Sequence, residues 1–300
     1  MTARAQLSVE ARHGHLAMLT FSALVAGSFS LGGQVANEID PAALNAVRFA
    51  ISAAVVGVVI AARGEGAATR AALAAPWRYA ILGGFFALYF VTMFVGLKTA
   101  PPVSAAAVFT LTPVMSGVFG YILLRQIMGA RIRLALALGA MGALWVIFRA
   151  DLSALMAFEI GRGEAIFFWG CMAHAAYTPM VRVLNRGEPI LSFTFWTLSA
   201  TAVIIGIWGR AEIVATDWAG LRPLVWVTLG YTAIAASSMT VFLVQFASMR
   251  LPSSKVMAYT YLTPSWVLLW ELALGQPMPP VMVLGGIGLT VLALGLLLKE

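Results

Sequence analysis

Leu111-Thr112-Pro113 in the first half of the chain returns as Leu262-Thr263-Pro264 in the second. Eleven residues before each threonine stands a proline, Pro101 in one case and Pro252 in the other. Further on, Leu138-Gly139-x-x-Gly142 is matched by Leu284-Gly285-x-x-Gly288, in the same order and at the same spacing apart from a five-residue gap. The chain therefore reads as two like halves, 1–149 and 150–300. All of these matches lie in long, continuous apolar runs, so what repeats is a set of helices rather than alternating strands.

The composition says what solvent those helices need. Of 300 residues, 61% are hydrophobic and 10% charged. Soluble domains hold about 45–50% apolar and about 25% charged residues. The mean hydropathy of +0.91 fits a bilayer, where the outer face of every helix can be apolar. A span needs about 20 apolar residues to cross the hydrocarbon. The charges cluster and leave ten such gaps: 15–35, 41–62, 77–97, 102–124, 132–149, 163–184, 190–208, 223–249, 253–272 and 279–298. The polar residues 1–13 precede a segment longer than a secretory h-region, which reads as an uncleaved first helix; the small residues Val25-Ala26-Gly27 leave a cleaved leader as the alternative.

Ten spans put both termini on one side, and the cations test which side. With the N-terminus in the cytoplasm, thirteen of the 19 lysines and arginines fall inside, among them Arg4, Arg63, Arg70, Arg125, Arg186 and Lys299. Five fall outside: Lys98, Arg149, Arg162, Arg210 and Arg222. That bias places both termini in the cytoplasm and the chain in the cytoplasmic membrane. Glu38, Asp40, Glu164 and Glu271 join the outer side. The net charge of +7 is explained by the same rule, and no basic run interleaved with aromatics points to nucleic acid. Five spans per half is an odd number, so the second half enters the membrane upside down. The expected fold is all-α integral membrane, ten transmembrane helices as two inverted five-helix repeats, with a substrate site near the midplane between them.

Four stretches also carry a likeness to a known group. They are Pro41-Ala42-Ala43-Leu44-Asn45-Ala46-Val47-Arg48-Phe49, Ala100-Pro101-Pro102-Val103-Ser104-Ala105-Ala106, the paired Leu-Thr-Pro segments, and Glu271. Over nearly its whole length the chain resembles the drug/metabolite transporter superfamily, of the EamA type, and within it the bacterial exporters of aromatic amino acids. The resemblance implies inward termini, two inverted five-helix repeats and export of small metabolites from the cytoplasm. One departure matters: where the first half has Arg48-Phe49, the second offers Trp196-Thr197. The halves need not bind substrate alike.

Among residues that could carry chemistry, Arg48 stands out because a charge inside a span is costly. It lies seven residues after Pro41, roughly 10 Å below the end of the span at 1.5 Å per residue. It can bind a substrate carboxylate, snorkel outward, or hold backbone carbonyls of a neighbouring helix. His174 is the other ionisable group near the middle of a span, either a proton relay or a neutral, hydrogen-bonded ring. No aspartate or glutamate lies deep in a span, so transport is expected to follow the substrate gradient. Tyr89, Trp169, Tyr177, Tyr259 and Tyr261 can line an apolar pocket with polar tips or simply pack. Asn45, Ser237, Ser238 and Gln245 can add hydrogen bonds. Pro113 and Pro264 each break a backbone bond inside a span, which makes them hinges or static kinks. Gly83-Gly84, Gly139/Gly142 and Gly285/Gly288 suit close helix packing. Cys171 stands alone, without partners for a disulfide or a metal cluster.

No metal, cofactor or enzyme signature is present: no HExxH, P-loop or G-x-S-x-G. The expected partners are a small-molecule substrate and the lipid bilayer. The function that fits is a secondary carrier exporting amino acids, aromatic and other apolar ones, by alternating access. Export of lipophilic cations or drugs is the alternative in transport. A membrane scaffold or intramembrane enzyme is the alternative outside it.

Overall fold

A computed structural model describes residues 3–157 and 159–298 of the chain. The described residues are helical, without strands. The main helices are α1 (Ala3–Val35), α2 (Pro41–Ala62), α3 (Trp77–Gly96), α4 (Pro102–Leu124), α5 (Ala130–Ile147), α6 (Arg162–Leu184), α7 (Ile190–Trp208), α8 (Pro223–Ser248), α9 (253–273) and α10 (Val281–Leu298). Among the described residues, α1 to α5, α7 and α8 are long and apolar enough to cross a membrane. The other three expected spans also hold helices, but of a different character. The helix α6 carries polar side chains along its length, α9 is interrupted, and α10 is an apolar helix of 18 residues. Residues 1–2 and 299–300 lie outside the description, as do the side chain of Arg4 and all of Lys299.

Local chemistry sets the boundaries. The Asp40 carboxylate accepts a hydrogen bond from the Ala42 N–H at 2.7 Å, and Pro41 follows at the first helical position, a favourable start for α2. Prolines also open α4 and α8. Several features differ from the sequence reading. The first helix runs back through the polar segment to Ala3. Short helices at Gly66–Ala72, Leu152–Ala157 and Arg210–Ala215 occupy connections expected to be plain loops.

Three of the main helices are irregular: α4 and α9 next to Pro113 and Pro264, where the sequence removes a backbone bond, and α8 where the sequence had a regular span. The helix α4 breaks at Thr110-Leu111 between Pro102–Phe109 and Thr112–Leu124. The helix α9 tightens into a 3₁₀ turn over Tyr259–Leu262. The helix α8 widens into a π-turn over Ile234–Met239.

Packing crosses between the halves, and it repeats when the halves are exchanged. The helix α3 lies on α6 as α8 lies on α1, and α3 lies on α7 as α8 lies on α2. The first part of α4 packs on the second part of α9, and the second part of α4 on the first part of α9. The helices α5 and α10 pack against each other, as do α2 and α7. Glycines permit the closest approaches. A Cβ on Gly142 would lie 2.6 Å from the Gly286 carbonyl oxygen, and one on Gly286 would lie 2.7 Å from that of Gly142. The partner at this crossing is Gly286, not the expected Gly285 and Gly288, which face open space. Likewise Gly83 packs on the α7 backbone while Gly84 is open.

Glu164, assigned by sequence to the outer side, is not solvent-exposed. Its side chain is buried and accepts a hydrogen bond from Ser104 at 2.7 Å. It occupies the first turn of α6, where a carboxylate suits the unpaired N–H groups of the helix end.

Candidate central site between the halves

The centre of the molecule is a stack of rings contributed by both halves. His174 of α6 lies 4.4 Å from Tyr89, 5.4 Å from Phe109, 5.8 Å from Phe86 and 6.4 Å from Phe21, centroid to centroid. Phe86 stacks on Tyr177 at 4.0 Å. On α3 the positions 86, 89 and 90 are spaced i, i+3, i+4, so they share one face. On α6, His174 and Tyr177 do the same.

The stack encloses a cavity of only about 10 Å³, lined by Phe21, Phe86, Tyr89, Phe90, His174 and Thr240 among others. That is about the space of one water, so the centre is closed in this conformation. A larger apolar groove of about 400 Å³ runs between α3 and α7, past Leu88 and Trp208. Its lining is apolar apart from Thr92, whose hydroxyl bonds its own helix backbone, and it reads as surface for acyl chains.

Arg48 sits at one edge of this stack and is fully buried. Burial excludes the snorkelling reading. Its Nε donates to Ser237 Oγ at 2.6 Å and its Nη2 donates to the Ala236 carbonyl at 2.9 Å. Both acceptors belong to the π-turn of α8. The guanidinium lies 4.2 Å from the Phe90 ring centroid, within cation–π range. Ser52 of α2 donates to Ala233, while Ser238 donates to Ala233 at 2.9 Å and to Ser52 at 3.3 Å. The π-turn is thus tied to α2 along its length.

At the other edge, the Gln245 amide donates to the Tyr177 hydroxyl at 2.8 Å and to Thr197 at 3.3 Å, and its carbonyl accepts from Thr194. Asn45 donates to the Pro41 carbonyl at 2.8 Å.

Several buried polar atoms in this region have no protein partner. They are Arg48 Nη1, Asn45 Oδ1, Tyr89 Oη, both ring nitrogens of His174, and Thr178 Oγ1. Buried polar groups are almost always paired in folded proteins, so such a concentration is unusual.

The sequence-selected residues divide by place. Asn45, Arg48, Tyr89, His174, Tyr177, Ser237, Ser238 and Gln245 belong to the stack or its edges. Trp169 is exposed on the opposite face of α6. The Tyr259 hydroxyl meets His15 Nδ1 at 3.1 Å, near the start of the apolar part of α1. Tyr261 fills the notch over Gly139 and hydrogen-bonds the Leu136 carbonyl at 3.4 Å. Phe21, Phe86, Phe90, Phe109, Thr194 and Thr197 were not singled out. The i, i+3, i+4 spacing of Phe86, Tyr89 and Phe90 is the signal that would have found two of them.

The breaks in α4 and α9 meet beside this site. Thr112 Oγ1 lies 3.2 Å from Thr260 Oγ1. Pro113 and Pro264 each stand at the start of the segment after the break. The carbonyl of Phe109, which loses its donor to Pro113, accepts from Thr112 Oγ1 at 2.7 Å.

Comparison with known proteins gives this architecture a family. The model of the EamA-like transporter family matches twice, over residues 12–148 and 161–299. The chain is similar to an uncharacterized transporter of Bacillus subtilis, YyaM, at 24% identity over 278 residues, covering 91% of this chain and 90% of that one. A solved crystal structure shares the fold with a TM-score of 0.72, covering 97% of this chain and 96% of the other at 20% identity. With two family repeats, a transporter relative and a helical membrane fold, the chain is a multi-pass membrane transporter, not an enzyme, and it belongs to the EamA-like transporter family of the drug/metabolite transporter superfamily.

Proposed function

We propose that this transporter is a secondary carrier of the cytoplasmic membrane that exports amino acids with aromatic or other apolar side chains by alternating access. In this reading all ten main helices cross the bilayer, as inverted halves spanning 1–149 and 150–300, with both termini in the cytoplasm. The observation that carries it is the central stack. Rings from α1, α3, α4 and α6 converge with unpaired polar groups at the seam of the two halves. Such a mixture suits a ligand with an apolar side chain and polar ends. A closed centre with packing that repeats between halves is what an occluded intermediate requires.

The deciding experiment is counterflow of labelled phenylalanine, leucine and tetraphenylphosphonium in proteoliposomes, with and without an imposed pH gradient. Exchange of the amino acids and exclusion of the lipophilic cation are expected. Exchange of the cation alone would move the function to drug export.

Topology is tested separately. Arg70 is exposed on the short helix after α2, whereas Cys171 is fully buried and is expected to stay silent to thiol reagents. In the Arg70→Cys variant, a membrane-impermeant maleimide is expected to label inverted vesicles and to spare intact cells. Labelling of intact cells would overturn the orientation.

A further inference from the structure

We propose that Arg48 is the subsite for the carboxylate of the transported molecule, so that the carrier selects anionic or zwitterionic substrates and rejects amines. This rests on the carrier reading above and names the substrate chemistry of the same site.

The argument begins with charge. A guanidinium removed from water needs a counter-ion or a full set of acceptors. Arg48 is fully buried, yet it takes part in none of the three ion pairs among the described residues. Its two protein acceptors are neutral, a serine hydroxyl and a backbone carbonyl. They hold Nε and Nη2, and Nη1 has no partner. The guanidinium is therefore fixed in orientation with one donor group to spare.

The fixing is specific. A regular helix keeps its carbonyls in its own ladder. The π-turn of α8 presents the Ala236 carbonyl and Ser237 hydroxyl side by side to α2. Turns of this kind inside α-helices are frequent at functional sites. Phe90 supports the guanidinium from one side, and the same ring lines the central cavity. A carboxylate there would take a charge-assisted hydrogen bond from Nη1. The apolar part of the molecule would then extend toward Phe86 and Tyr177. The arginine occurs in one half only, so the site is polar at one end, which suits a ligand with one anionic end.

The test is counterflow in proteoliposomes with three related probes: phenylalanine, phenethylamine, which lacks the carboxylate, and 3-phenylpropionate, which lacks the amine. The wild-type protein is expected to exchange phenylalanine and phenylpropionate and to exclude phenethylamine. Loss of a charge-assisted hydrogen bond costs about a factor of ten or more. Arg48→Gln should therefore lower the apparent affinity for both carboxylates by about that factor and raise the relative exchange of the amine. Arg48→Lys keeps the charge but not the planar fork, and an intermediate loss is expected. A residue with only a structural role would lower all rates together and leave the carboxylate-to-amine ratio unchanged, which would overturn the proposal while leaving the carrier reading in place. Exchange of none of the three by the wild type would remove the carrier reading, and the proposal with it. Should Arg48→Gln fail to fold, the ratio in Arg48→Lys decides the matter.

Discussion

Replacing Arg78 by alanine is expected to destabilise the protein by about 3 kcal/mol and to open one face of it. Arg78 begins α3 and is 2% exposed; its partner Glu188, in the connection between α6 and α7, is 12% exposed. Their nitrogen and oxygen lie 2.5 Å apart. Arg78 also donates to the Leu184 carbonyl at 2.7 Å, so it clamps the end of α6 as well as the loop after it. Partial burial pushes the Glu188 carboxyl up, but the Arg78 hydrogen bond and charge and the Arg186 N–H pull it further down, leaving it below the usual 4.5. A lowered carboxylate pKa contributes stability above the ordinary glutamate range and loses it as pH falls through the lowered value. The clamp is therefore complete at neutral pH. The nearby Ser192 is buried against Thr69, their hydroxyls 2.9 Å apart. A Ser192→Cys reporter should be unreactive in the parent protein and reactive once Arg78 is removed, alongside a lower Tm in detergent. An unchanged Tm with a silent reporter would show that the pair holds nothing.

The other half carries a matching pair. Glu38, between α1 and α2, is joined to Arg222 at the start of α8. Each pair links the loop after the first helix of one half to the start of the third helix of the other. In the proposed ten-span topology, the two pairs lie on opposite faces of the membrane. They are unequal: the side chains of Arg222 and Glu38 are 61% and 27% exposed, and exposed pairs contribute little. The face closed by Glu38 and Arg222 is thus the weaker one. In the wild type, an Ile39→Cys reporter should react sooner than Ser192→Cys.

Much of this was legible in the sequence because hydropathy and proline placement act locally. The helices α2 (Pro41–Ala62) and α7 (Ile190–Trp208) stand where the charge gaps put them, since their ends are set by a cap or a proline within the segment. The candidate site was legible at Arg48, His174 and Tyr89, whose chemistry is out of place in lipid. The π-turn was not legible. It is stabilised by Arg48 and Ser52, residues 181 to 189 positions away, and no local pattern encodes that. Trp169 and Tyr177 looked equivalent by sequence, although one faces outward and the other inward. Only the packing of α6 on α3 decides which face of α6 is which. The burial of Glu164 was not legible for the same reason: its partner Ser104 is on another helix.

Replacing Pro113 or Pro264 by alanine is expected to slow transport about tenfold with folding and substrate binding largely retained, a barrier change of about 1.4 kcal/mol. Each proline opens the segment after a break, where its missing N–H removes a helical bond to the segment before. The breaks face each other, with Thr112 and Thr260 in contact through their hydroxyls. The four segments pack crosswise, so a change of angle in α4 is felt by both parts of α9. In inverted halves, one break can bend while the other straightens, which exposes the centre to one face and then the other. Alanine restores an N–H donor to the Phe109 or Thr260 carbonyl and favours a continuous helix. The double variant Pro113→Ala/Pro264→Ala should therefore exchange more slowly than either single variant. The single variants should shift the balance of Ser192→Cys and Ile39→Cys labelling in opposite directions. A fixed kink predicts otherwise: unchanged rates, or equal changes in both labelling sites. Opposite shifts from the two prolines are the result that only paired hinges produce.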